Sequence, residues 1–559
     1  MQKIIDATKW TAMGCAAVMC IVGFSVVPVR GAITGNLSWS AAAAVEAATV
    51  AVSEPKIAVD PHGVIMAVWV QADSVTSHVY ANRNVPGSGW GTAALLETSD
   101  LPADNPQIAA DSNGNFIAVW IHAWKVSNGV RCGVHANRYV AGTGWGNASV
   151  VFVDVTKDYI TADADLRIAT DPQGDAMVTW SVYDWSWNHT SVRAAHYAAG
   201  TGWDAAANLS TEAVRMAYGG NVAMDGDGNA IAVWSQDSGT SISPGVMAVR
   251  YAAGTGWGTT VRIESAATAA IRSGSGVQIA FDGQGNALAV WTQYSAPGIF
   301  SNRYVAGTGW GAPVATADTG ATTYDEGVSL AIDKNGNAMA VWNQYGGMLH
   351  ANRYVASGAG WGITGVIEAN GTDYSGQVAF DQNGNAVAVW GNYACNSYNI
   401  QAIAYSVGTG WGYPARCYEA APSFVNKTPD NSSDPHLVID KNGNATAVWM
   451  QAGHIRSAVS DMSLTGLKRP RAVQNALSAG EAGFSVHRTA VRYALARAGK
   501  VTISVFNLSG ERLFTLTDKF QSAGAYVAAL PLQKLGKGQY LVRCKVDNTA
   551  VVKKLVIAD

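Results

Sequence analysis

The sequence predicts an all-β protein: an eight-bladed β-propeller followed by a small Ig-like β-sandwich. Three observations predict this fold. A short phrase recurs eight times, a second strand–turn–strand phrase lies between most of its copies, and the C-terminal segment reads as alternating strands joined by Gly turns. At 559 residues the chain is too long for one ordinary domain unless that domain is built from repeats.

The first phrase reads as a β-hairpin. Short runs of Val, Ile and Ala flank Asp-x-x-Gly, in which Asp caps the turn and Gly accepts a positive φ. In every copy a Trp follows the Asp by nine residues. The eight aspartates are Asp60, Asp111, Asp171, Asp225, Asp282, Asp333, Asp381 and Asp440, and the matching tryptophans are Trp69, Trp120, Trp180, Trp234, Trp291, Trp342, Trp390 and Trp449.

The second phrase, as in residues 301–310, adds a strand, a Gly-rich turn and a further strand that carries another Trp. Each repeat therefore holds four strands, A to D, and recurs every 48 to 60 residues, which is typical of a propeller blade. The eighth repeat has no Trp of the second kind, but Trp39 precedes Asp60 by the same 21 residues that separate Trp90 from Asp111. We therefore expect the N-terminal segment to supply the outer strand of blade eight and to close the ring.

The loops divide into a constant and a variable set. The A–B and C–D turns keep nearly the same length, whereas the B–C and D–A connections vary, which makes their face the expected binding surface. Sixteen of the 20 Trp belong to the two phrases and Trp10 lies near the N-terminus. The other three lie in B–C loops of blades two and three, beside a Tyr and two His. The predicted ligand-binding residues are Trp124, Tyr183, Trp185, Trp187, His122 and His189.

Aromatic faces beside polar groups suit sugar rings, so the predicted ligand is a glycan, with a protein as the other candidate. A rival interpretation is that these side chains pack long loops against the rim. Packing between blades also accounts for the repeated tryptophans. Five copies have a Gln two residues after the hairpin Trp, and these side chains are expected to satisfy backbone groups near the variable face or to line a central funnel. They are Gln71, Gln236, Gln293, Gln344 and Gln451.

No catalytic residue and no metal site is predicted. The sequence lacks the metalloprotease, P-loop, paired-Cys and nucleophile-elbow motifs. Calcium at the Asp-x-x-Gly turns is a weaker alternative to a plain turn, because nearly every turn offers a single carboxylate. No cofactor is expected.

The net charge and the targeting signals limit which classes of partner are expected. The net charge is −3 with no basic run in the body of the chain, which argues against nucleic acid. Residues 1–31 read as a signal peptide, with an uncleaved anchor as the rival interpretation. After cleavage we expect no membrane span, and we expect a monomer.

Residues 55–460 resemble the Asp-box propellers of sialidase type, which pair an Asp, a Gly and a later aromatic. The Ser or Thr expected two residues before the Asp is Ala or Val in most copies, and no arginine triad can be assigned. Sialidase activity is therefore not carried over.

The C-terminal residues 483–559 resemble the Ig-like sorting domain of type IX secretion substrates. The matching segments are 501–510, 538–543 and 553–557, in order and close to the C-terminus. The resemblance implies the type IX secretion machinery as a partner and a secreted or cell-surface location on a Gram-negative bacterium. The predicted domains are thus a propeller at 33–461, a linker at 462–482 and the sorting domain.

Three hypotheses for function remain open. The first is an exported binding protein that uses its variable face. The second is a propeller polysaccharide lyase or hydrolase acting at the same face, for which paired carboxylates would be the mark. The third is a structural or adhesive surface protein.

Overall fold

The computed structural model consists of β-strands and their connections. It describes residues 39–47, 50–126, 129–153, 165–184, 189–210, 217–237, 245–265, 276–293, 298–316, 325–344, 347–358, 360–368, 372–394, 397–408, 410–411, 415–416, 432–461, 484–486, 490–495, 499–507, 512–521, 524–531, 535, 538–546 and 549–557.

The repeats fold into antiparallel sheets, and the outer strand D of most sheets is broken into two short pieces. Sheet 1 contains Val52–Val59, Ile65–Ala72, Ser77–Val85, Gly89–Trp90 and Ala94–Leu95. Sheet 2 contains Ala103–Ala110, Phe116–Val126, Gly129–Val140, Gly144–Trp145 and Ser149–Val153. Sheet 3 contains Arg167–Thr170, Ala176–Asp184, His189–Ala198, Gly202–Trp203 and Ala207–Asn208. Sheet 4 contains Ala217–Met224, Ala230–Gln236, Gly245–Ala252, Gly256–Trp257 and Val261–Arg262.

The remaining repeats follow the same order. Sheet 5 contains Gln278–Phe281, Ala287–Gln293, Gly298–Val305, Gly309–Trp310 and Val314–Ala315. Sheet 6 contains Asp325–Ile332, Ala338–Gln344, Met348–Val355, Gly360–Trp361 and Gly365–Glu368. Sheet 7 contains Thr372–Phe380, Ala386–Ala394, Ser397–Ser406, Gly410–Trp411 and Ala415–Arg416. Sheet 8 contains Ser432–Ile439, Asn444–Gln451, His454–Asp461 and, as its outer strand, Ala43–Ala44.

The sheets are arranged as a β-propeller. Strand A of each sheet contacts strand A of the next, and strand A of sheet 8 contacts strand A of sheet 1. The hairpin tryptophans fill the spaces between sheets, and all eight are at most 1% exposed. Trp120, for example, packs among Val68 and Val79 of sheet 1. The repeated tryptophans of strand B are therefore core residues, as the packing interpretation predicts.

The A–B turns join neighbouring sheets as well as strands. Asp60 is 5% exposed, and its Oδ1 accepts hydrogen bonds from the backbone N–H groups of His62 (2.8 Å) and Val64 (2.9 Å). Its Oδ2 lies against the turn of sheet 2, so close that a Cβ on Gly114 would be 3.1 Å from it. Gly114 also has a φ of 82°, a second reason why only glycine suits this place.

The N-terminal segment completes sheet 8. Ala43 and Ala44 pair with Ser457 and Arg456, and Trp39 forms a bridge with Ser460. This is the pairing to which the spacing of Trp39 points.

Side chains reinforce the closure. The Nδ2 of Asn82 in sheet 1 donates to the carbonyl O of Val45 at 2.7 Å, as Asn137 of sheet 2 donates to that of Leu96 at 2.8 Å. Val45 thus occupies in sheet 8 the place that Leu96 has in sheet 1. The ring is closed by the same cross-sheet hydrogen bond that Asn137, Asn302 and Asn352 form between sheets 1 and 2, 4 and 5, and 5 and 6.

The C-terminal segment forms two further sheets. One contains Phe484–Val486, Ala490–Leu495 and Gly524–Ala529, and the other contains Arg512–Gln521, Gly499–Phe506, Gly538–Val546 and Thr549–Ile557. Val491 and Tyr493 of the first sheet share a core with Ile503 and Val542 of the second. The two sheets therefore form a small β-sandwich. Among the residues described, no helix has the length and apolar character needed to cross a bilayer.

Removal of residues 33–50 tests the closure. Without this segment the third strand of sheet 8 becomes an unpaired edge, and Asn82 loses its partner, so we expect aggregation or a lower melting temperature. The measurement is thermal unfolding combined with size-exclusion chromatography. The control is a chain that lacks residues 1–32 alone, which should melt as the full chain does. Equal melting of the two truncated chains would show that this strand does not hold the ring together.

Candidate functional site

The B–C hairpins of sheets 2 and 3 extend further than most of those on the variable face. In sheet 2 strands B and C have 11 and 12 residues, and in sheet 3 they have 9 and 10, whereas strand B has 7 residues in sheets 4, 5 and 6. The extension results from the extra residues that the sequence inserts between the two phrases. These hairpins carry the predicted ligand-binding residues.

Trp124 lies near the end of the sheet 2 hairpin and is half-buried. It stands directly opposite Arg131, which is also half-buried. Side chains alternate between the faces of a strand, so Trp124 lies on the same face as Trp120, the face that packs against sheet 1. Trp124 therefore has a cation beside it and the B–C hairpin of sheet 1 in front of its face.

His122, in contrast, is an internal residue. It is 1% exposed, and its Nε2 accepts a hydrogen bond from the indole Nε1 of Trp120 at 2.9 Å. Its Nδ1 lies 3.1 Å from the carbonyl O of Leu101. Burial lowers the pKa of His122, so the ring is neutral at pH 7 and donates from Nδ1. The prediction that His122 contacts a ligand is corrected: its nitrogens are engaged inside the sheet.

His122 stands two residues after its hairpin Trp, at the position where several other repeats have Gln, and its hydrogen bond indicates what those glutamines do. Trp69 and Trp234 donate their indole N–H to Gln71 (3.3 Å) and Gln236 (3.0 Å). His122 takes the same place two residues after its Trp. Gln71, Gln236 and Gln451 therefore accept from the buried indole, where the sequence predicted bonds to the backbone. Nε1 of Trp291 has no hydrogen-bond partner among the described residues, although Gln293 stands two residues after it.

A polar chain links this interior to the surface of the variable face. Glu97 is 5% exposed, and its Oε1 lies 2.8 Å from Nδ1 of His78. The other ring nitrogen of His78 lies 3.2 Å from Oδ2 of Asp73, an exposed residue of the sheet 1 hairpin. The exposed carboxylate of Asp73 is therefore held in place on the neighbouring hairpin, while both ring nitrogens of His78 are engaged.

The structure does not bring Tyr183 onto the surface that carries Trp124. Tyr183 is half-buried and pairs with Thr190 in sheet 3. It lies on the same face of its strand as Met177, which packs on sheet 4. Trp185 and Trp187 lie outside the described residues, as does the side chain of His189. Trp124 thus lies beside sheet 1 and Tyr183 beside sheet 4, and the platform that would also include Trp185 and Trp187 stays a prediction.

The sequence interpretation overlooked one polar position in strand A. The residue four before each repeat Asp is polar in all eight copies and half-buried in the structure, although its neighbours are apolar. Alignment of the repeats on their Asp would have revealed it. The residues are Lys56, Gln107, Arg167, Asn221, Gln278, Ser329, Gln377 and His436.

Carboxylates lie near this position. Burial and a side-chain hydrogen bond with Asp104 raise the pKa of Glu54 to about 7. Within the described part of the chain, no group of three or more His, Cys, Asp or Glu side chains is placed to hold a metal ion. With a pKa of about 7, Glu54 exchanges its proton near neutral pH.

Comparison with known protein families matches residues 488–558 to the secretion system C-terminal sorting domain. The described residues of this segment form the β-sandwich. A comparison with curated proteins finds no relative similar in sequence. The chain is therefore a secreted propeller protein. It carries the type IX sorting domain and is exported to the outer surface of a Gram-negative bacterium or beyond.

Solved structures of similar shape are remote in sequence. The β-propeller domain of the trilobed protease from Pyrococcus furiosus is 8% identical with a TM-score of 0.40, over 66% of this chain and 98% of that chain. A six-bladed fungal lectin from Aleuria aurantia is 14% identical with a TM-score of 0.32, over 57% and 97%. The Hadza microbial sialidase Hz136 is 13% identical with a TM-score of 0.36, over 71% and 77%.

Deletion of residues 483–559 tests the role of the sandwich. We expect a folded propeller that stays in the periplasm with a nearly unchanged melting temperature, because the propeller has its own core. Cell fractionation and thermal melts are the measurements. Fusion of residues 462–559 to a periplasmic passenger is the control and should carry the passenger outside. Normal appearance of the truncated chain in the medium would contradict the assignment.

His135 makes the sheet 2 hairpin sensitive to acid. Burial lowers its pKa from the ordinary 6.5 to about 4, so between these values the unfolded chain binds a proton that the native chain does not. Stability is therefore lost as the pH falls from 6.5 to 4. His135 stands opposite Trp120 as Phe300 stands opposite Trp291, so His135→Phe suits the site. Between pH 6.5 and pH 4, we expect the free energy of unfolding of this variant to fall by about 1–2 kcal/mol less than that of the wild type, as measured by denaturant titration. If the stability of the variant and that of the wild type fell equally with pH, His135 would be excluded as the cause of the acid sensitivity.

Proposed function

We propose that the protein is an exported binding protein that captures a glycan on the variable face of its propeller. The observation that carries the proposal is Trp124, a half-buried Trp on an extended hairpin, outside the positions that pack the blades. An indole face stacks on the C–H face of a sugar, and the hydroxyl groups need polar partners nearby.

Those partners stand on both sides of Trp124. Arg131 is its cross-strand neighbour, and Asp73 belongs to the hairpin of the sheet it faces, where His78 holds its carboxylate. Asp73 accepts backbone hydrogen bonds from Val75 (2.6 Å) and Thr76 (2.7 Å), which fix its carboxylate. These groups can form hydrogen bonds to hydroxyls without large rearrangement.

Tyr183, Trp185, Trp187 and His189 provide a second aromatic contact in the proposal. In the sequence they lie at the end of strand Ala176–Asp184, between the two strands, and at the start of strand His189–Ala198 of sheet 3, the sheet next along the ring. A glycan chain of several sugars would contact both hairpins, whereas a single sugar would contact one.

A second candidate is a polysaccharide lyase or hydrolase. The observation that favours it is the hydrogen-bonded pair Glu54 and Asp104, because a carboxyl group with a pKa of about 7 can act as an acid or a base near neutral pH. The pair lies at the variable-face end of strand A. Release of new reducing or unsaturated ends from a glycan, abolished by Glu54→Gln, would favour this function over simple binding.

The test of the binding proposal is the substitution Trp124→Ala. A glycan array with the wild-type protein identifies a ligand, and titration calorimetry measures its affinity for each variant. We expect a loss of about 1–3 kcal/mol, the range known for stacking of bases on aromatic side chains. The melting temperature should change little, because a hairpin residue leaves no core cavity.

Phe520→Ala is the matched control. Phe520 is 71% exposed in the C-terminal sandwich, so its loss removes a surface aromatic without touching the propeller. It should bind as the wild type does. A fall in melting temperature of Trp124→Ala with unchanged affinity would assign Trp124 to packing and refute the proposed site.

A further inference from the structure

The polar position of strand A lines the centre of the propeller. Strand A is the innermost strand, and all eight residues at this position are half-buried. Neighbouring members touch: Nδ2 of Asn221 donates to Oε1 of Gln278 at 3.1 Å, and Nζ of Lys56 lies 2.9 Å from Nε2 of His436. These residues come from adjacent sheets, so the contacts run around the channel.

A β-bulge precedes this position and sets its direction. In sheet 1 the pairing of strands A and B shifts between Ser53 and Lys56, and Glu54 has a φ of 55°. Sheet 2 has the same shift before Gln107, with Asn105 at a φ of 50°. A bulge re-aims the side chain that follows it. The repeat thus keeps a strained residue in order to present one polar side chain.

Three of the eight side chains are basic. Lys56, Arg167 and His436 belong to sheets 1, 3 and 8. Burial and the charge of Arg167 both lower the pKa of Lys56, and burial with Lys56 and Arg167 lowers that of His436 well below its usual range. Sheet 2 stands between sheets 1 and 3, so the effect of Arg167 on the pKa of Lys56 reaches past sheet 2. At neutral pH, His436 is therefore an uncharged acceptor for Lys56.

The two cations have no ion-pair partner within 4.0 Å among the described residues. The nearest carboxylates already accept other hydrogen bonds. Oε2 of Glu54 accepts the backbone N–H of Asn105 at 2.9 Å, and Oδ2 of Asp165 accepts that of Gly219 at 2.9 Å. Glu54 and Asp434 attract Lys56, and Asp165 attracts Arg167, from beyond ion-pair distance. Lys56 and Arg167 therefore keep N–H donors that an added anion can accept.

We propose that the central channel binds an oxyanion between Lys56 and Arg167. Sulfate, phosphate and carboxylate share the chemistry that two convergent cations and the surrounding amide side chains recognise. The anion is either a free inorganic ion or the acidic group of a larger sugar. This site goes beyond the glycan-binding proposal and does not depend on it, because it uses no residue of the Trp124 surface.

The experiment uses the full exported chain. Sodium sulfate and an oligosaccharide of uronic acids are titrated by calorimetry, and thermal melts compare sulfate with chloride at equal ionic strength. The variants are Lys56→Met and Arg167→Met, which remove the charge and keep an unbranched apolar stem. The control is Lys441→Met, which removes the same charge from an exposed A–B turn.

We expect the wild type and the Lys441→Met control to bind at least one probe and to melt higher with it. Each channel variant should bind about 10-fold to 100-fold more weakly, the loss of one or two charge-assisted hydrogen bonds. A preference for sulfate would assign a free ion, and a preference for the uronate would assign an acidic sugar.

Two results would overturn the proposal. One is failure of the wild type to bind either probe or to gain stability from it, a measurement that needs no variant. The other is equal affinity in Lys56→Met, Arg167→Met and the wild type. Gln278→Ala, which alters the same ring without a change in charge, distinguishes loss of a cation from a general disturbance of the channel.

Discussion

The buried carboxylate of each A–B turn serves two sheets at once. In sheet 1, Oδ1 of Asp60 accepts two backbone N–H groups of its own turn, while Oδ2 lies against Gly114 of the next sheet. The same relation recurs between Asp440 and Gly63, where sheet 8 meets sheet 1. One polar group thus fixes both the turn and the spacing between blades. Because it is buried, its loss would leave several backbone donors without acceptors.

Because these carboxylates join the sheets at the constant face, the loops of the opposite face can vary in length. Strand B begins from a fixed turn and carries its Trp into the gap between sheets, so extra residues can accumulate beyond the Trp without disturbing the ring. The extended hairpin of sheet 2 and the polar chain from Glu97 to Asp73 arise there. The scaffold and the proposed glycan surface therefore depend on separate residues.

The local chemistry of the repeat made much of the fold predictable, whereas the direction of side chains was harder to foresee. Asp, Gly and Trp at fixed spacing predict hairpins, and the spacing of Trp39 points to its pairing with sheet 8. Strand alternation would have placed His122 on the face of buried Trp120, but its hairpin was interpreted as a loop. The channel position escaped notice because a bulge and the ring arrangement, both tertiary features, turn one polar residue per repeat inward.

The closing strand has a consequence for the order of events during synthesis. Glu46 and His454 contact each other across 408 residues of chain, a separation far larger than that of any hairpin. Contacts between residues so far apart in the sequence form late, because the entropic cost of closing the intervening chain must first be overcome. Strand Ala43–Ala44 is made long before its partner in sheet 8. Its backbone groups therefore have no partner there until nearly the whole propeller has been made. The first and last blades are therefore expected to pair only after the eighth blade has been made, shortly before the sorting domain itself is complete.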